Sequence, residues 1–148
     1  MDVQTLTEAE FEDLRCLAGL IIPASAKYNV PGADDDRIVS DIVGSIAREL
    51  DHVRTALRTL RALAGGSLAG LDATRRAEVA AKLRAEGGVP VRVLTRIILL
   101  CYYRNDRVMV SLGLEARPPF PKGHVVEQGD WSLLDPVRAR KPIWRPVS

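Results

Sequence analysis

The spacing of apolar residues along the first 113 positions predicts a series of amphipathic helices. After Thr7, apolar side chains recur every three or four residues as far as Ile21, and Pro23 ends this pattern. Thr7 and Glu10 have the spacing of a capping box, in which each side chain accepts a hydrogen bond from the backbone amide of the other residue. The first predicted helix therefore begins beside Thr7.

The next apolar stripe is the longest and predicts one helix over about residues 36 to 64. Asp34, Asp35 and Asp36 precede it, where carboxylates are favourable because the free amides of a helix N-terminus carry partial positive charge. A metal site is the alternative interpretation of these acids, but no second acidic or histidine cluster pairs with them. The arginines on the opposite face are expected to be solvated: Arg48, Arg54, Arg58 and Arg61.

Three further helices are predicted between glycine-containing breaks. Asp72 is a suitable N-cap for a helix that runs to about Ala85, and Gly87-Gly88 ends it. The next helix is apolar nearly all round between residues 96 and 103, which predicts that it is the most buried. A short helix then ends near Gly113, which suits a C-terminal cap.

The segment 114–148 differs in character because six of the nine prolines fall in it, which excludes a long helix. Large apolar side chains, including both tryptophans, alternate with these prolines. We therefore expect an all-α fold: a small bundle of four to five helices over residues 1–113, and an extended Pro/Trp-containing arm over residues 114–148 within the same domain unit. The arm wraps either a second protein or its own helices.

If the arm binds a partner, the contacts should come from its prolines, its large apolar groups and its basic residues, because tryptophan and arginine are typical interface anchors. The predicted partner-binding residues are Pro118, Pro119, Phe120, Pro121, His124, Trp131, Leu134, Arg138, Trp144 and Arg145.

Composition bears on nucleic-acid binding, on membrane spans and on the location of the protein. A net charge of +2 over 148 residues is too small to predict nucleic-acid binding, and no apolar stretch has the length of a membrane span. The start of the chain lacks an export signal, so a cytoplasmic location is expected as the sequence stands. Periplasmic location is the alternative, through export with a partner or a signal that has been removed.

Candidate chemistry is sparse. The two histidines, His52 and His124, do not form a metal-binding or catalytic spacing with other residues, and no phosphate-binding or nucleophile motif occurs. Cys16 and Cys101 are expected as buried core thiols, with a single disulfide as the alternative. We therefore predict no catalytic, cofactor-binding or metal-binding residue, and no enzyme activity of the chain by itself.

Three groups of residues carry a resemblance to a known family: residues 7–11 with 20–24 and 31–33, residues 100–103 with Asp106, Val108 and 112–113, and residues 118–123. Through them the chain resembles the small-subunit family of gluconate 2-dehydrogenase and related flavin-dependent sugar and alcohol dehydrogenases.

The resemblance implies a helical, non-catalytic subunit that binds and stabilises a large catalytic subunit of the glucose–methanol–choline type. FAD would be held by that partner, and a cytochrome electron acceptor is a further candidate partner. Many relatives carry a twin-arginine export signal, which this sequence lacks near its start. The alternative function is a stand-alone helical binding protein with a small-molecule or lipid pocket.

Overall fold

The computed structural model describes residues 6–118, 120–123 and 125–141. Within this part of the chain the secondary structure consists of seven α-helices and two short 3₁₀ helices, with one antiparallel bridge between Ser25 and Val30 and no strand. The predicted all-α class is thus confirmed. The chain divides into two compact units, Met1–Ala116 and Arg117–Ser148. The predicted bundle size and the extended arm stay predictions.

The first unit contains six of the described helices. They are α1 (Glu8–Ile21), α2 (Asp36–Ser45), α3 (Leu50–Ala64), α4 (Ala73–Glu86), α5 (Gly88–Tyr103) and α6 (Asp106–Ser111). The predicted capping box of α1 is present, and the side chains of Asp35, Asp72 and Asn105 cap α2, α4 and α6. The starts of these four helices therefore follow from local sequence, through their capping side chains.

The single helix predicted over residues 36 to 64 is wrong, because α2 ends at Ser45 and a 3₁₀ helix, Ala47–Glu49, leads into α3. Gly44 and Ser45 have low helix propensity, and such pairs commonly mark kinks. The Ser45 hydroxyl donates a hydrogen bond to the Asp41 carbonyl at 2.7 Å. This kind of bond bends helices. The apolar stripe is buried both in α2, before the break, and in α3, after it.

The core of the first unit is aliphatic and centres on α3, which packs against α1, α4 and α5. Helix α2 also packs against α5. Burying each large aliphatic side chain stabilises the fold by about 1.5–3 kcal/mol, so this cluster is the main source of stability. Its largest fully buried members include Leu14, Ile38, Ile42, Val53, Leu57, Leu60, Leu94 and Ile98.

One carboxylate, Asp13 of α1, lies inside this core with no exposed surface. Its Oδ1 accepts hydrogen bonds from the Ser67 hydroxyl and the Leu68 amide, both at 2.8 Å, and from the Ala69 amide at 3.3 Å. Its Oδ2 lies 3.5 Å from Nη1 of Arg61. Asp13 therefore holds the connection between α3 and α4 against α1.

The arginine face of α3 is only partly solvated. Arg58 of α3 and Arg48 of the preceding 3₁₀ helix are exposed, as predicted. Arg61 instead pairs with the buried Asp13, and Nε of Arg54 lies 3.8 Å from Oε1 of Glu10. The prediction of a wholly solvated face was wrong for these two residues, because α1 crosses α3 with its acidic side chains toward them.

Two arginines that follow α5 bind Asp41 of α2 and Asp35, the N-cap of α2. Nε and Nη2 of Arg104 donate to the two carboxylate oxygens of Asp41 at 2.6 and 2.5 Å. Arg107 donates to both oxygens of Asp35 at 3.1 and 2.5 Å. These hydrogen bonds lower the pKa of Asp41 and of Asp35 below their ordinary values.

We expect Asp41→Asn to lower the free energy of unfolding at pH 7 by about 1 kcal/mol or less, because the pair is solvent-screened. The lowered pKa of folded Asp41 means that its stabilisation is complete above about pH 3.9, the ordinary aspartate value, and is lost as pH falls through the folded pKa. Urea unfolding measured between pH 7 and pH 2 should therefore show that the free energies of unfolding of the unmodified chain and of Asp41→Asn become equal at low pH. Glu12→Gln, an exposed carboxylate on α1, is the control, and a constant difference across this range would contradict the prediction.

Candidate functional site

The second unit, Arg117–Ser148, has little regular structure in its described part. A 3₁₀ helix, Trp131–Leu134, continues directly into α7 (Asp135–Arg138). The Asp130 side chain caps this segment by accepting hydrogen bonds from the Ser132 amide at 3.0 Å and the Ser132 hydroxyl at 2.6 Å. Pro136 lies in the first turn of α7. The prediction that prolines exclude a long helix is confirmed for these residues.

Four of the ten predicted partner-binding residues, Pro119, His124, Trp144 and Arg145, lie outside the described residues. Of the other six, Pro118, Phe120 and Pro121 lie in the irregular segment before the helical turns. The remaining three are Trp131, Leu134 and Arg138. Their spacings of three and four residues place them along one side of the short helical segment.

The apolar side chains of the second unit are strongly exposed. Phe120 is 84% exposed, Trp131 61% and Leu133 74%. The indole Nε1 of Trp131 donates to Oε1 of Gln128 at 3.1 Å, so the polar atom of the ring is satisfied while its apolar faces remain accessible. Large apolar side chains that a short segment leaves exposed commonly mark binding sites. We call Phe120, Trp131, Leu133, Leu134 and Val137 the apolar patch of the second unit.

The first unit has an apolar surface of its own, which we did not predict. Helix α5 was expected to be the most buried, but Leu99, Leu100 and Tyr103 are 37%, 56% and 52% exposed. The prediction was wrong because the main packing partners of α5, α3 and α2, leave part of its apolar surface uncovered.

Leu99 and Leu100 belong to a groove of about 850 Å³ between α1, α4 and α5. We call this cavity the α1–α4–α5 groove. Its charged lining residues are the arginines Arg84, Arg92 and Arg96, and Nη2 of Arg96 pairs with Oε1 of Glu49 at 3.2 Å. The apolar lining comprises Leu17, Leu20, Ile21, Ala80, Ala81, Leu83, Val91, Leu94, Leu99 and Leu100.

The residues with intrinsic chemical reactivity are dispersed. His52 is exposed on α3, and within the described residues no three histidine, cysteine or acidic side chains are close enough to hold a metal ion. Cys101 is buried and Cys16 is half-buried, and both are free thiols. Burial raises the pKa of each thiol, which keeps both protonated near neutral pH.

Comparisons of the chain with protein-family models, with curated proteins and with solved structures find no match. The resemblance to the gluconate 2-dehydrogenase small-subunit family therefore stays a prediction that rests on the residues quoted for it. In the described part of the chain, none of the helices combines the length and apolar character needed to cross a membrane.

Proposed function

We propose that this chain is a non-catalytic small subunit that binds and stabilises the large subunit of an FAD-dependent sugar or alcohol oxidoreductase of the glucose–methanol–choline type. The observation that carries this proposal is the exposed apolar patch of the second unit. The family resemblance supplies the identity of the partner. The flavin and the hydride chemistry then belong to the large subunit, and a cytochrome would accept its electrons.

The composition of the patch suits a protein partner. Trp131 and Arg138 are of the residue types that dominate interface energetics, and Leu134 lies between them on the same side of the helical segment. The prolines before this segment restrict the backbone, which reduces the entropy lost when it docks. A single short segment can therefore supply much of the binding energy.

Co-expression with a candidate large subunit tests this proposal. We expect the large subunit to be more soluble and to carry more flavin when the two chains are produced together, as measured by yield and by flavin absorbance. The two chains should also co-purify. Equal solubility, flavin content and activity of the large subunit produced alone would contradict the proposal.

Trp131→Ala is expected to weaken binding to the large subunit by about 2 kcal/mol, roughly 30-fold in Kd, because the exposed indole would be buried at the interface. Isothermal titration calorimetry with the purified large subunit measures this change. Val125→Ala is the matched control, since Val125 is fully exposed in the same unit and lies outside the predicted site. Equal Kd values for Trp131→Ala and the unmodified chain would place the interface elsewhere.

A second candidate function is a stand-alone binding protein for a small apolar ligand, and the α1–α4–α5 groove favours it. Its volume lies within the range of about 300–1,000 Å³ that is typical of small-molecule sites. Size-exclusion chromatography with light scattering separates the two functions. A well-folded, monodisperse chain that does not associate with any large subunit would favour the second.

A further inference from the structure

The α1–α4–α5 groove is an apolar feature of the first unit that the partner-binding proposal does not use. Ten of its fifteen lining residues are apolar, and none is acidic. Its walls come from three helices that the core fixes in place through Leu17, Leu83 and Leu94, each of which is buried. The groove is therefore a preformed site that suits an apolar ligand.

Charge is distributed unevenly along this groove. Arg84 lies in the last turn of α4 and Arg92 lies near the start of α5, so the turn at Gly87 brings both to one end. Leu100 lies two helical turns beyond Arg92, about 12 Å along the axis of α5. One end of the groove is thus cationic and the other is apolar.

The two arginines at the cationic end are available to a ligand. Within the part of the chain that the structure describes, neither Arg84 nor Arg92 has an ion-pair partner, whereas Arg96 pairs with Glu49. Guanidinium groups bind carboxylates through two parallel hydrogen bonds. An anionic group at this end would therefore find two unpaired cations and no competing acid on the groove wall.

We propose that the α1–α4–α5 groove binds a long-chain carboxylate, with the carboxylate held by Arg84 and Arg92 and the alkyl chain lying against Leu20, Leu99 and Leu100. The inference rests on the second candidate function, binding of a small apolar ligand, and is independent of partner binding by the second unit. An alkyl chain in the groove would gain affinity with each methylene that it buries, while the arginines would fix its direction.

Palmitate is the probe that tests this proposal on the full 148-residue chain. The fluorescent fatty acid 11-(dansylamino)undecanoic acid is bound first, and palmitate is titrated below its micellar concentration to displace it. We expect saturable displacement at one site. Hexadecanol, which has the same chain length and no charge, should bind at least about tenfold more weakly because it lacks the carboxylate.

Two tests locate the site, each of which compares a variant in the groove with a control variant outside it. Arg84→Glu with Arg92→Glu should weaken palmitate binding at least about tenfold by charge reversal, whereas Arg58→Glu, an exposed arginine on α3, should leave it unchanged. Leu100→Asp should weaken binding similarly, with Leu112→Asp as its matched control, because both leucines are more than half exposed. Far-UV circular dichroism verifies that each variant is folded.

The possible results distinguish failure of the carboxylate site from failure of the proposed partner binding. Equal binding of palmitate and hexadecanol, unaffected by the arginine changes, would overturn the carboxylate specificity and leave a neutral-ligand site standing. No saturable binding, or equal loss in Leu100→Asp and Leu112→Asp, would overturn the site itself. Neither result bears on co-purification with a large subunit, which the second unit is proposed to mediate.

Discussion

Asp13→Ala is expected to lower the free energy of unfolding by about 3 kcal/mol, because it breaks a buried network of hydrogen bonds around a charged group. The side chain is completely buried and accepts three hydrogen bonds from residues 67–69. Alanine would leave the Leu68 amide buried without an acceptor and would remove the counter-ion of Arg61. Urea unfolding followed by far-UV circular dichroism measures the loss.

Two further variants make the Asp13 prediction specific. Glu12→Ala removes the neighbouring exposed carboxylate and should change the free energy of unfolding by less than about 0.5 kcal/mol. Asp13→Asn keeps an oxygen acceptor for the Leu68 amide but removes the charge that faces Arg61, so it should cost about half as much as alanine. A loss below about 1 kcal/mol in Asp13→Ala would contradict the structural role inferred for this carboxylate.

Helix boundaries set by local chemistry could be predicted from sequence, and those set by distant residues could not. Thr7 and Asp72 cap their helices through side chains that lie within three residues of the amides they satisfy. The end of α2 has a local contribution from Gly44 and Ser45, but it also involves Arg104, which donates to the Ser45 hydroxyl at 2.6 Å from 59 positions away. Periodicity within one segment carries no information about such a contact.

Burial on a helix also depends on neighbours that the sequence does not reveal. The apolar run in α5 indicates a strong tendency to be covered, but Leu100 is 56% exposed. The groove beside it is built by three helices, each of which contributes a few residues, so no single motif predicts it. The only local indication that Asp13 is buried is its position next to the core residue Leu14. The helical pattern alone does not show that this acid faces the core.

The apolar character of the second unit was predictable from composition, since prolines and large apolar residues alternate there. The exposure of these residues could not be predicted. A proline-rich segment can cover either its own core or another molecule, and the same residue types suit both cases. The high exposed fractions of Phe120 and Trp131 are therefore the information that the structure adds, and they support the interface that the proposed function requires.

Truncation after Ala116 is expected to weaken binding to the large subunit at least about 100-fold, because it removes the whole apolar patch of the second unit. Most helicity should remain. The described helical structure that is lost consists of the four-residue 3₁₀ helix Trp131–Leu134 and the four-residue α7, while α1 to α6 lie before the cut. Pull-down with the large subunit and far-UV circular dichroism measure the two effects separately.

Binding and helicity, measured together, show whether the second unit serves as an interface or as part of the core of the first unit. Arg58→Ala on the full chain is the control, since it alters an exposed residue of the first unit and should preserve both binding and helicity. If helicity collapsed with binding, the second unit would be acting as part of the core of the first. Undiminished affinity of the truncated chain would place the interface on the first unit, where the exposed leucines of α5 are the next surface of comparable apolar character.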